Sequence, residues 1–248
     1  MPPPLTASPA LLAELRQTME RVSSKRRRRE VLPFGIASVD VALPSGGLAL
    51  GAVHEISESG VRGAQAAVAP LFAAGILARI GGPVLWCLHS RDLFAPALAR
   101  VGLHPDRVIY CETWKDSQIL PAMEDGLRHR GLAGVVGELV RLPLTPSRRL
   151  QLAAEDSGVV ALVIRRSSQH LEETNAAFSR WRVSPSPSAA NQPLELGRAR
   201  WNVELLRCRG AEPHSWLLEA CNAKGRLSVP ADVRDGSRPA EEQERASA

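Results

Sequence analysis

The chain has 248 residues, 44% hydrophobic and 23% charged, a balance that excludes wholesale disorder and a membrane channel and suits one domain, or two, with a full core. The net charge of +5 is unevenly spread: residues 1–30 carry seven Lys or Arg against three acids, residues 31–230 carry 21 against 18, and residues 231–248 carry three against five. No apolar run reaches the ~18 residues that a membrane span needs, and the first residues lack the apolar core of a secretory signal, so a cytoplasmic protein without membrane contact is expected.

Ser8-Pro9 reads as a helix start, a capping hydroxyl followed by proline at the first helical position. Leu11, Leu12, Leu15, Met19 and Val22 then fall at helical spacing, which predicts a short amphipathic helix with a protein-docking stripe. Lys25, Arg26, Arg27, Arg28 and Arg29 form a charge block, a candidate contact for DNA or an acidic partner.

From Leu32 the pattern turns to alternating strands and helices. Strands are predicted over 52–57, 84–88, 107–111, 135–139 and 159–165, and helices over 64–80, 92–101, 116–129 and 147–156. Such alternation argues for an α/β fold with a mainly parallel central sheet flanked by helices. The Ser/Pro-rich stretch 184–193 reads as a flexible insert. Two more strands, 201–208 and 215–221, flank Gly210-Ala211-Glu212-Pro213 and predict a hairpin at the sheet edge. The expected organisation is a front arm (1–30), a core (31–230) and a disordered acidic tail (231–248). Cys87, Cys111, Cys208 and Cys221 are widely spaced, with no ligand pairing for zinc, and read as reduced, mostly buried thiols.

The most informative run is Gly35-Ile36-Ala37-Ser38-Val39-Asp40, then Leu43, Gly46-Gly47-Leu48, Gly51 and Glu55-Ile56. It resembles the segment that opens the ATPase core of RecA-type recombinases, where a Gly-Gly-Leu turn leads into a strand that feeds the phosphate loop. A working loop reads Gly-x-x-x-x-Gly-Lys-Ser/Thr between strand and helix: backbone N–H groups cradle phosphate and the lysine meets the terminal phosphates. Here the stretch is Glu58-Ser59-Gly60-Val61-Arg62-Gly63-Ala64-Gln65. Gly63 matches the second glycine. Glu58 stands at the first, Ala64 replaces the lysine, Gln65 replaces the Mg²⁺-holding hydroxyl, and Arg62 is displaced. The resemblance places Glu138 where a metal-associated acid is expected, although a plain strand-end residue is an equal reading. After residues 84–88 the recombinases carry a water-activating Glu; here His89-Ser90-Arg91 follows, with no acid before Asp92. Neither ATP hydrolysis, a catalytic residue, a cofactor nor a metal is expected, since each lost group supports phosphoryl transfer by orders of magnitude.

Together with Leu32-Pro33-Phe34-Gly35-Ile36, residues 178–183 and residues 199–207, this ruined loop is similar to the ImuA family of bacterial damage-inducible mutagenesis proteins, some also labelled SulA-like. The resemblance spans Leu32 to Val229. It implies a RecA-like core and a non-catalytic accessory role in SOS-induced error-prone translesion synthesis. The implied partners are an ImuB-type inactive Y-family polymerase homologue and an error-prone replicative-type DNA polymerase, with RecA, DNA and self-association as further candidates. Two alternatives stand beside it: a divergent ATPase with Arg62 on phosphate and Glu138 on metal, and a SulA-like cell-division inhibitor. Arg180, Trp181, Arg182, Arg200 and Trp201 interleave aromatic and basic side chains, as a loop touching single-stranded DNA would. Trp201 equally fits the core face of a strand.

Overall fold

The structure is a computed structural model that describes residues 29–58, 67–90, 92–166, 173–187 and 198–231. The chain divides into Met1–Glu30 and Val31–Ala248. The docking stripe Leu11, Leu12, Leu15, Met19 and Val22, the block Lys25 to Arg28, and the tail past Ala231 lie outside the described residues.

The second unit begins with a two-stranded antiparallel pair, β1 (Val31–Leu32) and β2 (Leu48–Ala49), enclosing the short helix α1 (Ala37–Asp40). Then come β3 (Val53–Glu58), α2 (Val68–Ala78), β4 (Val84–Leu88), α3 (Ala95–Arg100), β5 (Val108–Glu112), α4 (Asp116–Leu127), β6 (Gly134–Leu139), α5 (Leu144–Ser157) and β7 (Val160–Arg165). The chain closes with β8 (Ser179–Ser186), β9 (Arg200–Cys208) and β10 (His214–Glu219). The main sheet has eight strands in the order β10-β9-β8-β3-β7-β6-β4-β5. It is parallel from β8 through to β5, and antiparallel only at the β8–β9–β10 end. The expected α/β class and edge hairpin are both present.

Alternation along the strands sends side chains to two cores. On one side Ile56, Trp86, Leu162, Trp181, Trp201 and Val203 pack with Phe72 and Leu77 of α2 and Leu98 of α3. On the other, Val53, Cys87, Val135 and Val163 pack with Ile119 and Met123 of α4 and Leu150 of α5. Burying an aliphatic side chain is worth about 1.5–3 kcal/mol, so these two layers are the main stabilisation. The predicted elements hold with shifted ends, and the shifts have causes. The first long helix stops at Ala78 because Arg107 reaches back over its C-terminus, donating to the carbonyls of Leu77 (3.2 Å) and Gly82 (3.0 Å) among others. The Leu77 carbonyl belongs to the last turn and has no partner within the helix, and Gly82 lies just beyond it. The second helix begins at Ala95 and not at Asp92: Phe94 before it is extended (φ −90°, ψ 96°), and Pro96 sits in the first turn, where its missing N–H costs no bond. α5 starts three residues early, at Leu144, and ends at Gly158, whose φ of 81° is the left-handed stop that glycine adopts without strain.

The largest departure is β8. Sequence suggests DNA contact at Arg180, Trp181 and Arg182 and an insert at 184–193, whereas one strand carries all three residues and runs through Pro185 to Ser186. Its pairing with β3 ends at Glu58–Val183, while its pairing with β9 continues to Ser186–Arg200. Pro185 therefore sits where only one neighbour remains, a place that tolerates its missing N–H.

Candidate functional site

The segment leading into β3 is held by three devices. Asp40 accepts the backbone N–H groups of Phe34 (2.6 Å) and Gly35 (2.9 Å), closing the loop before α1 onto it. Gly46 takes φ 81°, a left-handed conformation. Gly47 is extended, and its constraint is space: a Cβ there would lie 2.7 Å from the carbonyl of Leu32. The Gly-Gly pair thus lets β1 and β2 approach and delivers the chain into β3, with Glu58 as its last residue. Gly60, Arg62, Gly63, Ala64 and Gln65 lie outside the described residues.

Ligands of open parallel α/β sheets bind beyond the carboxyl ends of the strands. At that edge, beside the end of β6, stands Glu138, 3% exposed. Its Oε1 accepts the indole N–H of Trp86 at 2.7 Å, and its Oε2 accepts Arg166 Nε at 2.7 Å and also Arg166 Nη2. The same Nη2 donates to Oδ1 of Asp92 at 2.6 Å. Burial pushes the Glu138 carboxyl above its ordinary value, against the pull of Arg166 and Trp86. Burial also opposes the charge on Arg166, but Glu138 and Asp92 outweigh it and hold that guanidinium above its ordinary pKa. A divalent cation would meet a guanidinium already seated on the carboxylate, so with Arg166 in place this donor set does not fit a metal. Among the described residues no three His, Cys, Asp or Glu gather as ligands. Asp92, expected to open a helix, belongs to this cluster, and His89 Nδ1 lies 3.0 Å from the carbonyl of Thr113.

A second ionic group lies on the opposite face of the sheet. Glu55, fully buried, meets Arg165 Nη1 and Arg180 Nε at 2.6 Å each and Asn175 Nδ2 at 2.9 Å. Arg207 donates to Asn175 Oδ1 (3.1 Å) and the Ala177 carbonyl (3.0 Å), extending the network to β9. Burial lowers the Arg207 pKa, and Arg180 and Arg209 add to the effect against Glu55.

The residues proposed for stacking on DNA are placed otherwise. Trp181 is 1% exposed and Trp201 3%, both within the first core, where Trp181 lies 5.7 Å from Phe34 and 6.1 Å from Phe72 between ring centroids. Its indole N–H donates to Ser179 Oγ at 2.7 Å. Neither ring offers a face to a nucleobase, which corrects the stacking expectation for Trp181 and favours the core reading of Trp201. Arg180 is committed to Glu55, and Arg182 pairs with Glu204 at 3.4 Å. Arg200 and Arg29 are half-buried and carry interactions of their own. Of the aromatics, Trp114 after β5 is the most exposed at 89%, followed by Phe94 and Tyr110.

No protein-family model matches the chain. Two curated proteins of Caulobacter vibrioides, each named "Protein ImuA" and from strains NA1000 / CB15N and ATCC 19089 / CIP 103742 / CB 15, are 38% identical to it over 206 residues. That alignment covers 78% of this chain and 84% of each relative. The chain belongs to the ImuA family. For an ImuA-family chain, the residues missed from sequence are Arg166, Trp86 and Asp92. The available signal was the doublet Arg165-Arg166 closing the apolar strand Val160–Ile164, since consecutive residues at a strand end point to opposite faces.

Proposed function

We propose that this chain is a non-catalytic RecA-like accessory protein of an SOS-induced, error-prone translesion synthesis complex. It assembles with an ImuB-type inactive Y-family polymerase homologue and an error-prone replicative-type DNA polymerase. The observation that carries this reading is the 38% identity over 206 residues with proteins named ImuA. The RecA-like scaffold is supported by the path of the chain: the Gly46-Gly47 turn enters parallel β3, the phosphate-loop position follows it, and α2 lies beyond. The absence of turnover is supported by Ala64 and Gln65 in that loop, and by the guanidinium that Glu138 already holds. Loss of the lysine and of the metal hydroxyl removes the charge stabilisation that phosphoryl transfer requires.

Contact with DNA or with an acidic partner surface falls to the front arm, Lys25 to Arg29, because Trp181 and Trp201 are core. The stripe from Leu11 to Val22 is the candidate for docking protein, whether a partner or a second copy. The test is co-purification of the full chain with both polymerase partners, compared with a chain starting at Val31. Retention by the full chain and loss by the shorter one supports the reading; retention of neither partner by the full chain sinks it. DNA-stimulated ATP hydrolysis by the purified protein would sink the non-catalytic part.

A further inference from the structure

Two carboxylates from separate elements converge on one nitrogen. Asp92 lies in the turn after β4 and Glu138 near the end of β6, and both meet Nη2 of Arg166. Arg166 is fixed there by its own backbone, whose N–H donates to the carbonyl of Leu139 at 2.8 Å. Its Nε adds a further bond to Glu138 at 2.7 Å, and Trp86 orients the carboxylate from the other oxygen. Without a cation between them, two such carboxylates repel, and one of them must take up a proton or move away. Oxygen donors converging in this way suit a hard divalent cation.

We infer that Arg166 is the resident cation of this edge: tethered to β7, it fills the place between Glu138 and Asp92 that a divalent cation would take. This rests on the non-catalytic reading and gives it a mechanism. A free cation leaves and returns with nucleotide, whereas a guanidinium on the backbone stays with the chain and joins the ends of β6 and β7 to the turn after β4. An ordinary ion pair serving stability alone differs in one respect: its removal is not repaired by a metal.

That difference is the experiment. The full-length chain and its Arg166→Met variant are compared by thermal unfolding and by electron paramagnetic resonance with millimolar Mn²⁺. The wild type is expected to bind no Mn²⁺ and to keep its midpoint. Arg166→Met is expected to melt lower, to bind one Mn²⁺ at least about tenfold more tightly than wild type, and to recover its midpoint on binding. Adding Glu138→Gln removes both effects, and Arg166→Lys stays insensitive to Mn²⁺. A folded Arg166→Met chain that binds no more Mn²⁺ than wild type overturns the proposal, as does Glu138-dependent Mn²⁺ binding by the wild type. If Arg166→Met does not fold alone, the readout becomes refolding: recovery with Mn²⁺ supports the proposal and failure to recover overturns it. The functional reading is scored separately, by partner co-purification and ATP hydrolysis of the wild type, neither of which depends on the Mn²⁺ result.

Discussion

The carboxylate of Glu55 and the guanidinium of Arg165 meet at 2.6 Å with neither side chain exposed at all. Removing one partner of a buried pair strands the other charge in a medium that solvates it poorly, at a cost of about 3–5 kcal/mol. Glu55→Gln is expected to lose stability on that scale in urea unfolding, because Arg165 and Arg180 both lose their anion. A loss under ~1 kcal/mol would show that water reaches this network.

Gly75 in α2 packs against Cys221, past the end of β10. A Cβ at Gly75 would lie 2.3 Å from Cys221 Sγ and 3.0 Å from its Cβ. Gly75→Ala is therefore expected to destabilise by about 1–3 kcal/mol through overpacking, despite the better helix propensity of alanine. Cys221→Ala removes the nearer clash, so the double variant should recover part of the loss. Additive losses in that cycle would refute the contact.

Two tryptophans separate packing from surface. Trp181→Ala opens the first core and is expected to cost about 3–5 kcal/mol, whereas Trp114→Ala at an 89% exposed site is expected to stay within about 0.5 kcal/mol. Equilibrium denaturation of the two variants decides it. Equal effects would contradict the buried position of Trp181.

Burial pushes the Cys208 thiol up to about 11 and the Cys221 thiol up to about 12. In the unfolded chain a thiol ionises near its ordinary value, about 8.5. The folded state therefore holds these protons to higher pH. The contribution is complete below the unfolded value and is lost as pH rises through 11 to 12. Stability should fall with pH across that window, and the fall should be shallower in a Cys208→Ala/Cys221→Ala chain. Both thiols should also resist alkylation at neutral pH, where their thiolate fraction is small. Rapid labelling of the native protein would contradict this.

Asp40 is legible in sequence only as part of a motif, and the structure gives its task. Asp40→Ala leaves the N–H groups of Phe34 and Gly35 without their acceptor and is expected to cost about 1–2 kcal/mol. Asp40→Asn should retain part of that. Hydrogen exchange at those two amides reads it directly.

The alternation of apolar strands with helical stretches fixes the α/β class because a buried parallel strand such as Val160–Arg165 is apolar almost throughout. β8 escaped notice for the opposite reason. Its sequence Ser-Arg-Trp-Arg-Val-Ser-Pro-Ser alternates, but arginine beside tryptophan also suits a nucleic-acid loop, and Pro185 argues against a strand. Which reading holds depends on Glu55, 125 positions upstream of Arg180, and local pattern carries no such information. The same limit applies at Glu138. Its acid was visible at the strand end, but the arginine that holds it lies 28 positions away, just past the end of another strand.

β3 occupies the middle of the sheet, yet neither of its neighbours is made soon after it. Glu55 waits for Arg165, 110 positions later, and for Arg180, 125 positions later. At ribosomal speed that is roughly 5–25 s with the central strand unpaired on both edges. The nascent chain therefore cannot complete its core piecemeal. The central strand gains its two neighbours only after β7 and β8 have emerged, which puts completion of the core late in synthesis.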